Sequence, residues 1–344
     1  MADPTVRGRF VWHELVTPNA TGAHEFYAEA VGWKAQAFEH DNAYRMFAAP
    51  SGPIGAAVES RVGTPQWVPY IGTLDLAATA TEATRLGGRV QTPPTALPNA
   101  GGYAVLTDPQ GATFGIHAPD GRTRPEPPVR PGEFGWHELA TNAAPGAAFA
   151  FYAALFGWDE MAQHDMGPMG TYWVFGRNGT QLGGMFNKGS QGKPGAAYWL
   201  GYVSVTDLEG AVERAKAARG SVLAGPMDVP GGDRIAQLMD PHGAFFALHM
   251  AAVQTAPATG EAQPGKKTAG KKARKAPKKA ATKAAKKPAA PTRPTRAKRQ
   301  PAKKTAAAPK RPATRKAGKK KPSPARKPAK AKTKTKTKTK KRAR

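Results

Sequence analysis

The first 250 residues contain one sequence repeat. The segments WHEL, FYAEAVGW and DPQGATFGIH begin at positions 12, 26 and 108, and the related segments WHEL, FYAALFGW and DPHGAFFALH begin at positions 136, 151 and 240. The offset of about 124 to 132 residues is too long for a solenoid unit and matches the size of a whole domain. The repeat predicts homologous domains over residues 8–121 and 132–251, joined by a Pro-rich linker at 122–131.

Within each copy, strand and helix patterns follow one another in the same order. In the first copy, a strand is predicted over 10–17, followed by a helix that begins at a cap on Asn19 or Thr21 and ends at Gly32. Short strands follow, and then a second strand and helix, predicted over 70–76 and 77–86, and over 202–207 and 208–218 in the second copy. Each copy closes on a strand pair around an Asp-Pro turn. This order predicts two βαβββ units in each domain.

These motifs in this order resemble the vicinal oxygen chelate superfamily, which includes glyoxalase I, extradiol dioxygenases and bleomycin-resistance proteins. The resemblance covers residues 8–251 and occurs once in each copy. It implies an α+β fold of two tandem domains, each with paired βαβββ units whose mixed sheet curls into a cup, with the ligand inside and the helices outside. That fold hosts metalloenzymes and metal-free binding proteins alike, so the resemblance does not select an activity.

Metal-dependent members of that superfamily carry their ligands on the first and last strands of the βαβββ units. The matching first-strand position is Trp12 or His13, and matching positions elsewhere hold Tyr70, Gly115 and the glycine-rich strand near Gly55. The second copy has the same residue types, with Ala247 in place of a glycine. A protein metal site needs three or four converging His, carboxylate or thiolate groups. We therefore expect neither a metal nor any other cofactor.

Period-two alternation decides which first-strand side chains line each cup. A slip of one residue exchanges Trp for His, and we favour Trp because Leu15 and Leu139 then face the helices as core residues. The alternative is that the Trp residues fill the core and the Glu residues pair with Arg. Glu14 and Glu138 are the candidate catalytic bases. The predicted ligand-binding residues are Trp12, Glu14, Tyr70, His117, Trp136, Glu138, Tyr202 and His249.

The C-terminal segment has a different composition from the rest of the chain. The last 94 residues carry 35 Lys and Arg residues and one acidic residue, Glu261, whereas the first 250 carry 17 basic and 23 acidic residues. Every Phe, Trp and Tyr lies before residue 250, so the segment 254–344 cannot bury enough apolar surface to offset its chain entropy. We therefore predict a disordered basic tail.

The tail is similar to the C-terminal tails of linker histones, with segments such as KKARKAPKK and TKTKTKTK. Spaced Lys residues without aromatic residues favour binding to the phosphates of double-stranded DNA or of another polyanion, without base recognition. A solubilising tail, an anchor to anionic lipid and an intramolecular partner of the acidic body are the alternatives. The predicted contact residues are Lys266, Lys267, Lys271, Lys272, Lys278, Lys279, Lys286, Lys287, Lys334, Lys336 and Lys338.

Taken together, the sequence predicts a metal-independent small-molecule-binding protein of the glyoxalase and bleomycin-resistance type, tethered to nucleic acid by its tail. A lyase or dioxygenase-like enzyme is one alternative, and a nucleoid-associated architectural protein with a dimerising body is another. The absence of cysteine, of a long apolar run and of a signal-peptide pattern favours a cytoplasmic protein without a membrane span, and the basic tail is compatible with a place at the nucleoid. A homodimer is compatible with the sequence.

Overall fold

The computed structural model describes residues 6–38, 41–120, 128–191 and 195–252. The predicted tail, with all eleven of its proposed DNA-contacting Lys residues, lies outside the described residues, as does most of the predicted linker. None of the helices in the described ranges combines the length and apolarity needed to cross a bilayer.

The first copy of the repeat forms one eight-stranded mixed sheet with two helices. The strand order is β2-β3-β4-β1-β5-β8-β7-β6, and β1 pairs parallel with β4 and antiparallel with β5. Two βαβββ units therefore join side by side through their first strands. The elements are β1 (Phe10–Thr17), α1 (Ala20–Val31), β2 (Lys34–Phe38), β3 (Asp41–Ala49), β4 (Gly52–Glu59), β5 (Gln66–Gly72), α2 (Leu76–Arg85), β6 (Arg89–Leu97), β7 (Gly101–Thr107) and β8 (Thr113–Ala118).

The second copy forms a second eight-stranded sheet with the same topology. Its strand order is β10-β11-β12-β9-β13-β16-β15-β14, which matches the first sheet strand for strand. The paired βαβββ units predicted from the repeat are confirmed in both copies. The elements are β9 (Phe134–Thr141), α3 (Pro145–Phe156), β10 (Asp159–Asp165), β11 (Thr171–Arg177), β12 (Thr180–Asn187), β13 (Tyr198–Ser204), α4 (Leu208–Ala217), β14 (Ser221–Asp228), β15 (Arg234–Met239) and β16 (Phe245–Met250), with short 3-10 turns at Gly167–Met169 and Lys188–Gln191.

Local sequence explains where the first helix begins and ends. The Asn19 side chain accepts a hydrogen bond from the Gly22 amide at 2.9 Å, which makes Asn19, and not Thr21, the N-cap. Gly32 adopts φ 77° after the last turn, a conformation that favours glycine. The predicted limits of this helix are therefore confirmed.

The strands predicted over 70–76 and 202–207 begin too late in the sequence. They run over Gln66–Gly72 and Tyr198–Ser204. The residues that follow each strand belong instead to the next helix start, where Asp75 and Asp207 cap α2 and α4 by accepting hydrogen bonds from the Ala78 and Gly210 amides. An Asp cap thus ends each strand earlier than the apolar pattern indicates.

Each hydrophobic core takes side chains from both sheets. The first core joins α1 and β5 of the first sheet, including Phe26 and Trp67, to α4, β15 and β16 of the second, including Phe246. The second core joins α2, β7 and β8, including Phe114, to α3 and β13, including Tyr152. The two sheets therefore fold into one unit through both cores.

A buried hydrogen-bond chain crosses between the sheets in the first core. The indole nitrogen of Trp67 donates to the Tyr27 hydroxyl at 2.8 Å, and that hydroxyl donates to Asp240 Oδ2 at 3.2 Å. The other oxygen of Asp240 accepts hydrogen bonds from the His242 and Ala244 amides in the turn before β16. The Asp-Pro turn, which the sequence marks only as a turn, therefore binds the helix of the other copy.

The equivalent chain in the second core has the same three residue types. Trp199 donates to the Tyr152 hydroxyl at 3.1 Å, and Tyr152 donates to Asp108 Oδ2 at 3.1 Å. Burial is the main cause that raises the pKa of Asp108 and of Tyr152, and the neighbouring carboxylate raises the tyrosine pKa further. The phenol therefore stays protonated and keeps its role as donor to the carboxyl group.

We expect Tyr27→Phe to lower the free energy of unfolding by about 1–3 kcal/mol, because the change leaves the buried Trp67 nitrogen without its acceptor and Oδ2 of Asp240 without its donor. Tyr152→Phe should cost a similar amount. Urea unfolding followed by tryptophan fluorescence measures both values. Tyr103→Phe is the control, since no hydrogen bond of its hydroxyl is found within the described part of the chain. A loss for Tyr27→Phe no larger than for that control would contradict the role of the chain in stability.

Candidate functional site

The second sheet encloses a cavity of about 390 Å³. Side chains from all eight of its strands line the cavity, which establishes the cup expected for this half of the chain. Trp136 and Glu138 reach it from β9, Tyr202 from β13 and His249 from β16. The structure thus brings together the four site residues that the sequence predicts in this copy. Their role in binding a ligand stays a prediction.

Two tyrosines surround the carboxyl group of Glu138. The Tyr202 hydroxyl donates to Glu138 Oε2 at 2.9 Å and accepts a hydrogen bond from the Gln237 amide nitrogen at 3.0 Å. The indole nitrogen of Trp136 donates to the Tyr172 hydroxyl at 3.1 Å. Burial and then the charge of Glu138 raise the pKa of Tyr172 and Tyr202 well above the usual value. Both phenols therefore act as donors toward one carboxylate inside the cavity.

An Asp–His pair lies at another part of the same cavity wall. His249 Nε2 lies 2.8 Å from Asp233 Oδ2, and the other oxygen of Asp233 accepts a hydrogen bond from the Ala252 amide at 2.9 Å. Burial alone would raise the pKa of Asp233, but the amide and His249 hold it below the usual value. Asp233 is therefore a fixed negative charge that orients the imidazole.

The remaining wall of this cavity is largely apolar and includes three methionines. Met166 and Met169 come from the turn between β10 and β11, and Met227 comes from β14. Met169 and Met227 are also exposed to solvent. Because methionine side chains are unbranched and polarizable, they can adapt to flat apolar ligands of different outline.

The first sheet repeats part of this arrangement. The Tyr70 hydroxyl donates to Glu14 Oε2 at 2.6 Å, and the Trp12 nitrogen donates to the Tyr44 hydroxyl at 3.3 Å. Burial raises the pKa of Glu14, although the hydrogen bond from Tyr70 opposes this effect. Burial and then the charge of Glu14 raise the pKa of Tyr44 to about 12. The Trp, Tyr and Glu cluster predicted for this copy is therefore assembled as well.

The two copies differ around the terminal histidine. His117 Nε2 lies 2.9 Å from the Ala100 carbonyl oxygen, whereas its counterpart His249 contacts a carboxylate. Tyr103 pairs with His117, and Ile235 pairs with His249, so Tyr103 and Ile235 are equivalent positions. Two residues earlier in each copy, Gly101 therefore occupies the position of Asp233. The first copy therefore has no carboxylate at the position of Asp233.

His13 and His137 lie on the opposite strand face from Glu14 and Glu138. Their Nε2 atoms are 2.7 Å apart in the middle of the molecule, and the two rings are only 6% and 4% exposed. His137 stacks on Phe10 at 3.5 Å and His13 stacks on Phe134 at 3.9 Å between ring centroids. Leu15 and Leu139 lie on this face too and belong to the cores. These histidines therefore join the two sheets.

Burial sets the protonation of this pair. It lowers the pKa of His13 to about 3, despite an opposing hydrogen bond with the Ile54 backbone, and lowers that of His137 well below the usual value, with repulsion from His13 in the same direction. Both rings are therefore uncharged at neutral pH. An uncharged pair can form the contact between the Nε2 atoms, with one ring as donor and the other as acceptor.

The metal site of the superfamily does not fit these residues. No group of three or more His, Asp or Glu side chains with suitable spacing occurs within the described ranges. The strand positions that would supply ligands in the second sheet hold Trp136, Tyr202 and Ala247, which pair with one another in the strand register. An indole and a methyl group cannot coordinate a metal, so no step through a metal is derived for this site.

Some cavity residues were not predicted, although part of the signal is present in the sequence. Tyr44 and Tyr172 begin the equivalent segments 44–47 and 172–175, which share Tyr and Phe at the same spacing and predict strands without a role for the tyrosines. Asp233 lies in the GGDR loop, which the sequence indicates only as a turn. Its contact with His249 depends on the pairing of β15 with β16.

Fold and site together define a protein with two sheets of paired βαβββ units and an aromatic, carboxylate-bearing cavity. The family described as the Glyoxalase/Bleomycin resistance protein/Dioxygenase superfamily matches residues 138–248. The anthracycline biosynthesis protein DauV of Streptomyces sp. (strain C5) is 30% identical over 260 residues, which cover 70% of this chain and 92% of DauV. This chain belongs to the Glyoxalase/Bleomycin resistance protein/Dioxygenase superfamily.

Another relative and a solved structure match a similar share of this chain. CFP32 of Mycobacterium bovis is 29% identical over 249 residues, covering 69% of this chain and 92% of CFP32. Among solved structures, the 2,3-dioxygenase LapB from Pseudomonas sp. KL28 is similar with a TM-score of 0.53 and 12% identity, over 73% of this chain and 96% of that protein. At this identity the likeness to LapB concerns the fold alone.

The buried histidine pair should make stability depend on pH. The folded pKa of His13, about 3, lies below that of the unfolded chain, so the unfolded chain binds more protons between about pH 3 and 6.5. Stability is therefore lost as the pH falls through this range, by about 1.4 kcal/mol per pH unit for His13, and is unaffected by this group above it.

We expect the free energy of unfolding of His13→Phe to fall less steeply with decreasing pH than that of wild type, by about 1.4 kcal/mol per pH unit. Urea unfolding between about pH 4 and pH 6 measures both slopes. Asp108, Asp240 and Glu14 have raised pKa values and contribute in the opposite direction, so the readout is the difference between variant and wild type. Equal slopes for the two proteins would contradict an uncharged, buried His13.

Proposed function

We propose that this chain is a metal-independent small-molecule-binding protein whose principal ligand site is the cavity of the second sheet. The observation that carries the proposal is the convergence of Trp136, Glu138, Tyr202 and His249 on one cavity of about 390 Å³. A space of this size with apolar walls and a few fixed polar groups is typical of small-ligand sites.

The chemistry of the walls favours a flat ligand. Trp136, Tyr172 and Tyr202 provide aromatic faces, and their polar atoms are already used in the hydrogen bonds around Glu138. This leaves the ring faces for stacking and the methionines for apolar contact. The name of DauV, an anthracycline biosynthesis protein, is compatible with a small organic molecule as the ligand.

We expect Trp136→Ala to weaken binding of a planar probe such as acridine by at least about tenfold, because the change removes one aromatic wall. Isothermal titration calorimetry of the full chain gives the affinity. Phe245→Ala removes an aromatic side chain of the same sheet that does not line the cavity and should leave binding unchanged. Equal affinities for wild type and Trp136→Ala would remove the cavity from the proposal.

Trp12→Ala tests whether the first sheet also binds a ligand. If both cups bind the probe, this variant should halve the stoichiometry and leave the affinity of the second cup unchanged. An unchanged stoichiometry would restrict the proposed function to the second sheet.

An enzyme is the second candidate, because Glu138 and the Asp233–His249 pair place a carboxylate and an imidazole on one cavity. Such groups can accept or donate a proton to a bound substrate. Lyase activity that persists after chelation and is lost in Glu138→Gln would favour this candidate. Activity that requires a stoichiometric metal would contradict the metal-independent proposal.

For the tail, we propose non-specific binding to the phosphates of nucleic acid. The support is its sequence: 35 basic residues and one acidic residue over the last 94 positions, with small and Pro spacers. Counterion release from DNA drives association with such a segment and carries no base recognition. A nucleoid-associated architectural protein would use the same tail to bind DNA. It would also need residues 8–251 to form a dimer, which the small-molecule-binding function does not need.

We expect duplex DNA binding to collapse with salt. If about ten cations of the tail neutralise phosphates, the logarithm of the association constant should fall with a slope of about −9 against the logarithm of salt concentration. A fourfold rise in salt should then weaken binding by roughly 10⁵. A chain truncated after residue 252 is the control and should not bind. DNA affinity that survives in this truncated chain, or that hardly changes with salt, would contradict the proposal.

A further inference from the structure

The cavity of the second sheet has an unbalanced set of charges. Its lining includes the carboxyl groups of Glu138 and Asp233, and no Lys or Arg lines it within the described part of the chain. The lining also contains the imidazoles of His164 and His249. His249 is already hydrogen-bonded to Asp233 and not to Glu138. The cavity therefore presents negative charge to a ligand.

The hydrogen bonds of the walls maintain this charge. The Tyr202 hydroxyl donates to Glu138, and the Gln237 side-chain amide donates to the Tyr202 oxygen. The Ala252 amide donates to Asp233. Donors favour the ionised form of a carboxyl group and so oppose the effect of burial, which acts on Glu138 at 7% exposure more than on the rim residue Asp233. A ligand is not needed to complete these contacts.

Aromatic faces lie beside these carboxylates. Trp136, Tyr172 and Tyr202 all line the cavity, and Trp136 is linked to Tyr172 by a hydrogen bond of 3.1 Å. A cation gains energy over such faces in addition to its attraction to a carboxylate. An anion in the same space would lose its hydration and face repulsion, without a basic side chain to compensate.

We propose that the second cavity selects planar organic cations, such as aromatic molecules that carry a protonated or quaternary nitrogen, over neutral and anionic molecules of the same shape. This inference rests on the proposed function, since it names the class of ligand for the same cavity. Glu138 is the main counter-ion within the cavity, and Asp233 contributes negative charge at its rim, where its side chain is more exposed.

The first sheet offers an internal comparison. It keeps Glu14 and its aromatic partners but has Gly101 at the position of Asp233. Val105 pairs with Gly115 on β8, and Gln237 pairs with the equivalent Ala247 on β16. Val105 therefore occupies the position of Gln237. The preference for cations is therefore assigned to the second cavity.

The test compares three acridine probes of nearly equal shape on the full chain: the 10-methylacridinium cation, uncharged acridine and the acridine-9-carboxylate anion. Calorimetric titration at pH 8 and about 0.3 M NaCl limits binding of the anion to the basic tail, because salt of this strength screens exposed charges. We expect the cation to bind at least about tenfold more tightly than acridine, and the anion to bind more weakly than acridine.

Substitutions assign the preference to the carboxylates. Glu138→Gln should reduce the preference for the cation to less than about threefold, and Asp233→Asn should reduce it partly. Asp233→Asn also serves if Glu138→Gln does not fold, because Asp233 lies at the rim. The matched control is Glu213→Gln, which removes the same charge from the exposed face of α4 and should preserve the preference.

Two outcomes would overturn the inference: equal affinities of wild type for acridine and 10-methylacridinium, or a preference that persists in both Glu138→Gln and Asp233→Asn. Acridine binding by Trp136→Ala shows whether only the inferred preference for cations fails or the proposed ligand site fails as well. If acridine binds and Trp136→Ala abolishes that binding, the cavity is a ligand site without charge selection. If no probe binds, or if Trp136→Ala has no effect, the proposed function itself fails.

Discussion

The buried hydrogen bonds between Trp67, Tyr27 and Asp240, together with the equivalent chain in the other core, constrain most of the molecule. Each chain links a strand and a helix of one sheet to a turn of the other. A buried carboxyl group without donors would be costly, so the Asp-Pro turn must stay in place once the tyrosine helix packs there. The helices therefore occupy the faces where the sheets meet, and the opposite faces remain open for cavities.

The same constraint decides which residues form the site. With His137 and Leu139 committed to the face between the sheets, alternation along β9 leaves Trp136 and Glu138 on the cavity side. The aromatic residues and the carboxylate are thus brought together by the packing of the opposite face. Substitutions at the centre of the molecule and in the cavity should have separable effects on stability and on binding.

Much of this organisation could be predicted from the sequence, because the repeat shows every motif twice. The pairs of βαβββ units, a first-helix cap at Asn19 or Thr21, and the placement of Trp and Glu on one strand face follow from local patterns. The edge strands β2 and β10 were missed because their side chains are mostly exposed and lack an apolar alternation. The Asp233–His249 contact and the tyrosine–aspartate bonds were also missed, since they join residues that only the folded chain brings together.

The two sheets also show how similar local sequences can give different polar contacts. Both keep Trp, Tyr and Glu with the same hydrogen-bond partners, yet among the described residues a carboxylate contacts only the last histidine of the second sheet. This difference arises from single positions, Gly101 at the start of β7 and Asp233 just before β15, which lie at turns. The proposed specificity therefore depends on loop positions, on a framework that both copies share.

The contact between His13 and His137 has a further meaning. These are the same residue of the repeat, so each side chain meets its own counterpart, as happens on the two-fold axis of a symmetric dimer. The polypeptide is built like a dimer whose subunits have been fused end to end. In a true dimer every substitution appears in both subunits, whereas here one half can change alone. Fusion thus allows one cup to acquire a new ligand while the other preserves the shared framework.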